Sequence, residues 1–425
     1  VKLRLRELAV KTSADVVFVE VGGTVGDFEN AYFIEALREL AYEEGEGSVV
    51  YVALTYILSP SALGEQKSKA AQLGMKRIME YGIMPHVVAC RAKEEVTEKV
   101  RQKLSVYTNV PVRRVFSMHD LSSIYLLPEL MREAGLDSEV VQLLNLGGRV
   151  NSAMDSRAAI QWSRFTSRLG ACDKKVTIGV TGKYTAVRDS YASIIKALEH
   201  AGVAAGAKVD VAWIDTSNIK SAQQAGEAMA GVDGIIVPGG FGVRGTAGKI
   251  ACIEYARTHK VPYLGICLGF QMAVIEYARN VLGLADADST EIKPDCKDPV
   301  IDMLPDQKKI EGLGGNMRLG GQDVDVAPNT LAAELFGKKQ RIRLRFRHRY
   351  EVDPLYVKQL EEAGMVFSGR HPVHPIMQIL ELPRDVHPYF IGTQAHPCLT
   401  SRPLNPQPMF AGLVKAAIDR QGASK

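Results

Sequence analysis

Apolar residues recur along this chain in two rhythms. Short unbroken runs rich in Val, Ile and Leu alternate with longer stretches whose apolar positions fall every three or four residues. Runs at 15–19, 48–54 and 85–90 predict buried strands, and Ile34, Leu37 and Leu40 mark one face of a helix over 33–42. Strand, helix, strand, helix predicts a parallel sheet covered by helices. From about Val150 to Lys174 the pattern loosens into Ser, Arg and Ala, and a linker is expected there. A second α/β series opens with a strand at 176–180 and a helix near 190–200, and continues with strands at 209–213, 234–237, 261–266 and 389–393. No fixed-period repeat or low-complexity tract is visible.

The length of 425 residues calls for two or three domains, and 46% hydrophobic with 24% charged residues is an ordinary globular balance. That excludes disordered and fibrous chains. No apolar run reaches the roughly 18 residues of a membrane span, and no long apolar segment follows the charged amino end as in a secretory signal. Lys and Arg number 52 against 48 Asp and Glu, a net +4 too weak to argue for nucleic acid. The run from Lys338 to Arg347 alternates cations with apolar residues and predicts a half-buried strand with a charged face. Six cysteines are scattered without C-x-x-C spacing, which argues against a zinc site or disulfide framework and makes a reducing cytoplasm the expected setting.

The strongest chemical signal is Tyr263-Leu264-Gly265-Ile266-Cys267-Leu268-Gly269-Phe270-Gln271, an apolar strand running into Gly-x-Cys-x-Gly and then a helix carrying Met272, Ile275 and Ala278. This is a nucleophile-elbow pattern with Cys as the nucleophile. The flanking glycines remove side chains that would block the turn, and the helix amino terminus is expected to favour the thiolate. Pro238-Gly239-Gly240-Phe241-Gly242 follows another strand and offers a backbone N–H for an oxyanion beside that of Leu268. Gln394-Ala395-His396-Pro397 follows the last strand and offers His396 as a general base.

With Ser289-Thr290-Glu291, Gly314-Gly315-Asn316-Met317-Arg318-Leu319-Gly320 and Arg347-His348-Arg349-Tyr350-Glu351-Val352, these motifs resemble a class I glutamine amidotransferase domain of the CTP synthase family. The resemblance implies Cys267 as nucleophile and His396 as its base, with Gly240, Leu268, Gln271, Glu291 and Arg349 holding glutamine. A cation and an anion at Arg349 and Glu291 suit the carboxylate and ammonium of that ligand. The family ends this motif His-Pro-Glu, whereas this chain reads His396-Pro397-Cys398. A neutral thiol cannot steady an imidazolium as a carboxylate does, so weakened glutamine hydrolysis is expected unless another acid such as Glu351 stands in.

The front half resembles the synthetase domain of the same family. Val19-Glu20-Val21-Gly22-Gly23-Thr24-Val25-Gly26-Asp27-Phe28-Glu29 is close to the family's pattern. A carboxylate at the tip of a buried strand suits a hydrated Mg2+ beside nucleotide phosphates, making Glu20 the candidate metal ligand. Gly64-Glu65-Gln66-Lys67-Ser68-Lys69-Ala70-Ala71-Gln72 resembles the family's Lys-Thr-Lys-Pro-Thr-Gln element for UTP or CTP, and two nearby lysines suit a triphosphate. The resemblance adds Asp27, Phe28, Glu29, Lys103, Asp120 and Leu121 to the nucleotide-binding set. No G-x-x-x-x-G-K-[ST] phosphate loop occurs, and the chain starts at Val1.

The expected architecture is therefore two α/β domains: a partial P-loop-type parallel-sheet synthetase domain over 1–146 that starts inside the family's domain, a linker over 147–174, and a class I glutamine amidotransferase domain over 175–420. The family implies amination of UTP to CTP with ATP and glutamine, Mg2+, GTP as allosteric activator, CTP as feedback inhibitor and a homotetramer at full length. Two other readings stand beside it. One is a non-catalytic or impaired nucleotide-binding subunit, the other a glutaminase serving a different acceptor domain.

Overall fold

The computed structural model describes residues 1–60, 64–172, 174–182, 188–304 and 317–423. The motif residues Gly314, Gly315 and Asn316 lie outside the described residues. The chain divides into two compact units, Val1–Thr166 and Ser167–Lys425. Among the described residues no helix is long and apolar enough to cross a membrane.

The first unit holds α1 (Lys2–Thr12), α2 (Phe28–Glu44), β1 (Val52–Ile57), α3 (Lys69–Glu80), β2 (Val87–Ala92), α4 (Glu98–Thr108) and β3 (Val115–His119). Its strands form a parallel sheet in the order β1-β2-β3. Ala53, Ile57, Met75, Val88, Cys90, Val100, Leu104 and Val115 join strands and helices in one core. α5 (Leu127–Glu133), α6 (Leu136–Leu143) and α7 (Ser152–Leu169) complete it. α7 occupies most of the stretch read as a linker. Trp162 and Phe165, three residues apart on its face, pack on Tyr125, and the Trp162 indole N–H donates to the Tyr125 carbonyl at 2.9 Å.

The strand expected over 15–19 is absent. That segment is irregular and Phe18 is 91% exposed. An apolar run becomes a strand only where a neighbour offers a ladder, and β1, β2 and β3 pair only with one another. β1 also starts later than its apolar run, after a turn in which Gly45 and Gly47 take positive φ.

The second unit is built on nine strands in the order β11-β10-β13-β14-β15-β7-β6-β4-β5. They are β4 (Lys174–Gly182), β5 (Ala207–Asp215), β6 (Gly234–Val237), β7 (Tyr263–Ile266), β10 (Arg318–Val326), β11 (Arg341–His348), β13 (Val366–Arg370), β14 (Met377–Glu381) and β15 (Phe390–Thr393). A separate small sheet joins β8 (Ala287–Ser289), β9 (Asp298–Asp302) and β12 (Glu351–Val352). β5, β4, β6, β7 and β15 run parallel and the other four strands are antiparallel. α8 (Ala192–Ala205) and the carboxyl-terminal helix Pro408–Ala423 pack together, while α9 (Ala222–Ala228), α10 (Thr246–Thr258) and α11 (Leu268–Asn280) pack in sequence. β11 alternates exposed cations with buried Ile342, Leu344, Phe346 and His348, as its sequence predicts. Its exposed arginines meet the acids of β10, Arg341 on Asp325 and Arg343 on Asp323.

Between α10 and α11, Arg257 clamps the fully buried Glu276 through Nε at 2.9 Å and Nη2 at 2.7 Å. Arg257→Met leaves that carboxylate unpaired in the core and should cost roughly 3–5 kcal/mol. A denaturant titration checks this, and a loss under about 1 kcal/mol would show the pair to be dispensable.

Candidate functional site

Three adjacent parallel strands, β15, β7 and β6, end side by side, and each releases a loop carrying one predicted element. Val237 is level with Gly265, and Ile266 with Thr393. Cys267 follows β7 directly, with its N–H bonded to the Thr393 carbonyl at 2.7 Å. Its backbone stands at φ 52°, ψ −101°, a conformation that L-residues avoid and that a nucleophile elbow imposes. The next turn cannot relax, because a Cβ at Gly269 would lie 2.0 Å from the Val237 carbonyl oxygen.

Gly239 is the point where nucleophile and base meet. A Cβ there would be 2.9 Å from His396 Cε1 and 3.4 Å from Cys267 Cβ. The imidazole Nε2 is buried and has no hydrogen-bond partner among the described residues, so it is open to the sulfur's proton. The backbone N–H of His396 is pinned to the Arg345 carbonyl at 2.8 Å. Gln394, which sequence reading passed over, donates from Nε2 to Cys267 Sγ at 3.6 Å. The parallel register carries the signal for it, since Thr393 opposite Ile266 places residue 394 opposite the nucleophile.

The other glutamine candidates divide. Gly240 and Leu268 line a cavity of about 20 Å³ together with Tyr191, Gly239, Gly242 and Lys249. Glu291 accepts from the Gly242 N–H at 3.4 Å, which ties it to the same turn. Gln271 is committed inward, donating to the Tyr350 carbonyl at 2.9 Å and to Gln394 Oε1 at 3.1 Å. Arg349 is exposed just beyond β11. Cys398 is buried and accepts from Ser193 Oγ at 3.5 Å.

Burial dominates the electrostatics. It pushes the Cys267 thiol up to about 12, reinforced by the charges of Glu291 and Glu351 and opposed by hydrogen bonds from the Leu268 N–H and Gln394. The helix terminus does favour the thiolate, as expected, through the Leu268 N–H, but desolvation outweighs it. Burial also lowers His396 to about 4, helped by Arg347 and His348. The resting pair is a neutral thiol beside a neutral imidazole.

In the first unit, Lys67, Lys69, Gln72 and Lys103 line one cleft of about 770 Å³ with Glu65, Glu94, Glu95, Thr97 and Lys99. Lys99 was not foreseen, although its i,i+4 spacing from Lys103 on α4 is the available signal. Gln66 pins two loops of the cleft, donating to the Glu95 carbonyl and accepting from the Thr97 N–H, both at 2.8 Å. Four ammonium groups against three carboxylates, with Lys67 paired to Glu65, leave a net positive concavity that suits a polyphosphate. The remaining candidates lie outside this lining. Asp27 accepts from the Thr24 N–H at 3.1 Å, Phe28 and Glu29 are exposed at the start of α2, and Asp120 pairs with Arg91 at 2.7 Å next to Leu121. Glu20 is exposed on irregular backbone, and no group of three or more metal-ligating side chains occurs among the described residues. One such carboxylate does not make a cation site, so no step is assigned to a metal here.

Comparison with known proteins adds the following. The family model "CTP synthase N-terminus" matches residues 1–146, and "Glutamine amidotransferase class-I" matches 186–416. A CTP synthase of Thermococcus gammatolerans is 44% identical over 99% of this chain and 77% of its own length. One from Deinococcus radiodurans is 42% identical over 99% of this chain and 78% of its own. The glutaminase domain of Trypanosoma brucei CTPS, solved with bound acivicin, is similar at TM-score 0.54 and 34% identity, covering 57% of this chain and 94% of that one.

The electrostatics predict a pH profile. Alkylation of Cys267 by iodoacetamide should keep rising through about pH 10, because its thiolate forms only near the raised value. Glutamine turnover should hold down to about pH 5, because His396 stays unprotonated until pH falls through about 4. An alkylation plateau by about pH 8.5 would mean a preformed thiolate.

Proposed function

The chain belongs to the CTP synthase family, whose members combine a synthetase with a glutamine amidotransferase, and from that premise we propose that it aminates UTP to CTP with ammonia released from glutamine at Cys267. The observation that carries this reading is the strained Cys267 elbow with His396 against the same glycine.

In the first half-reaction the Cys267 proton passes to His396 Nε2 and the sulfur attacks the carboxamide carbon. A C–S bond forms and the carbonyl oxygen takes the negative charge, facing the turn at Gly240 and the N–H of Leu268. Collapse breaks the C–N bond, and ammonia leaves with the proton held by His396. Water then cleaves the thioester to glutamate and thiol, with His396 again moving the proton. Arg349 and Glu291 are assigned to the glutamine carboxylate and ammonium, and Gln271 to the wall of the site.

In the second half-reaction the γ-phosphoryl of ATP is transferred to O4 of UTP, and ammonia displaces phosphate at C4 to give CTP, ADP and phosphate. Lys67, Lys69, Gln72 and Lys103 are assigned to the triphosphate of UTP, or of CTP as feedback inhibitor. Asp27, Phe28, Glu29, Asp120 and Leu121 are assigned to the nucleotides on resemblance alone. Family membership carries general use of ATP, GTP and Mg2+. GTP activation, a homotetramer and a cytoplasmic setting belong to the proposal, whereas magnesium at Glu20 does not, since that carboxylate is exposed on irregular backbone.

A second reading is favoured by Cys398. Its thiol faces Ser193, and burial raises its pKa, so it stays neutral and gives an imidazolium at His396 no counter-charge. Glutamine hydrolysis is then impaired, by ~10²–10⁴ on the scale of losing a triad acid.

Glutamate release by the purified chain, with GTP and nucleotides present, tests both readings. Weak activity abolished by Cys267→Ala and raised at least tenfold by Cys398→Glu is the expected pattern. Full activity indifferent to Cys398→Glu would remove the second reading. Joint Lys67→Ala and Lys69→Ala should weaken UTP binding by about tenfold or more in calorimetry, and unchanged affinity would detach the cleft from the triphosphate.

A further inference from the structure

We propose that Lys249 is a positioning residue for glutamine hydrolysis, its buried ammonium holding the glycine turn and biasing it toward the negative oxygen formed at Cys267. The inference rests on the glutaminase reading above.

Lys249 sits in the first turns of α10 and is 5% exposed, an unusual place for a lysine. Its Nζ donates to the Pro238 carbonyl at 3.3 Å, at the start of the glycine turn. The same nitrogen lies 3.6 Å from where a Gly240 side chain would begin, a spot also 3.5 Å from Leu268 Cδ2. Lys249, Gly240 and Leu268 line one cavity of about 20 Å³, so the ammonium and both backbone groups assigned to the oxyanion share one lining.

A bare turn can present N–H groups, but nothing in glycine fixes their direction. The bond to Pro238 supplies that restraint. The charge supplies the second effect, because a cation on a side chain buried beneath the turn acts on charge that appears beside it. The carboxamide of bound glutamine is neutral and the tetrahedral intermediate is anionic, so the effect falls on turnover rather than on binding.

The test compares Lys249→Met, Lys249→Gln and Lys249→Arg in the whole chain, reading kcat and KM for glutamine, thermal midpoint, and Cys267 alkylation by iodoacetamide. Alkylation displaces iodide at carbon and builds no oxyanion. Lys249→Met should lower kcat by about 10–100-fold while KM and alkylation rate move less than about twofold. Lys249→Gln keeps a donor for Pro238 without the charge and should lose nearly as much, and Lys249→Arg should recover part. If Lys249→Met does not fold, Lys249→Gln decides alone. Unchanged kcat in Lys249→Gln overturns the inference and leaves the glutaminase reading intact, and so does a fall in alkylation matching that in kcat. If the wild-type chain is silent on glutamine, γ-glutamyl p-nitroanilide replaces it, passing through the same oxyanion with a better leaving group. A chain that cleaves neither substrate while Cys267 is still alkylated overturns the glutaminase reading and the inference with it.

Discussion

The close approach of Val237 to Gly269 is the constraint on which the site depends. With 2.0 Å between the Val237 oxygen and any Cβ at position 269, β6 can lie beside the elbow only if that residue is glycine. Gly265 is held in the same way, since a Cβ there would lie 2.4 Å from the Tyr263 hydroxyl, which itself donates to the Gly269 carbonyl at 2.8 Å. The two glycines let β7 stop abruptly, and the abrupt stop forces positive φ on Cys267. The sulfur is thereby lifted above the strand ends, between the turn after β6 and the histidine after β15.

That placement carries an electrostatic cost. A cysteine sunk among three strand ends loses water, and the acids Glu291 and Glu351 make its ionisation harder still. The site answers with hydrogen bonds rather than a standing charge. The Leu268 N–H and Gln394 lean toward the sulfur, and Gln271 braces Gln394 from behind. A neutral thiol beside a neutral imidazole is slow to react alone and is protected from stray electrophiles. On the proposed reading, proton transfer is then coupled to arrival of a carbonyl whose developing charge the surrounding donors can meet.

The legibility of the sequence followed the range of the interactions. The elbow, the glycine turn and His396 could be read because each is a local motif whose residue types are forced by backbone geometry. β11 could be read because one charged and one buried face impose a period of two. The segment 15–19 misled because an apolar run does not state whether a neighbouring strand will accept it. The thiol was legible only in part, because a helix terminus is visible in sequence, whereas desolvation comes from strands distant in the chain. Gln394 and Lys99 escaped for the same reason: one is defined by the register of β15 on β7, the other by the wall of a cleft.

If Cys398 stands where the family has its triad carboxylate, as proposed, a substitute acid is needed, and the buried Glu351 is the one the sequence offered. Its Oε1 already accepts from Arg318 Nε at 2.6 Å and lies 2.9 Å from His348 Nε2, while Oε2 has no partner. Swinging it to His396 would strip Arg318 of its counter-ion and break the bond to His348. Breaking a buried pair of this kind costs roughly 3–5 kcal/mol, which is comparable to the whole benefit of a triad acid. Glu351 is thus held by the contacts that bury it, and its charge disfavours the thiolate instead of steadying the imidazolium. On the proposed reading the chemistry runs on Cys267 and His396, and the backbone holds both residues in place: the Arg345 carbonyl on the His396 backbone N–H and the Thr393 carbonyl on that of Cys267.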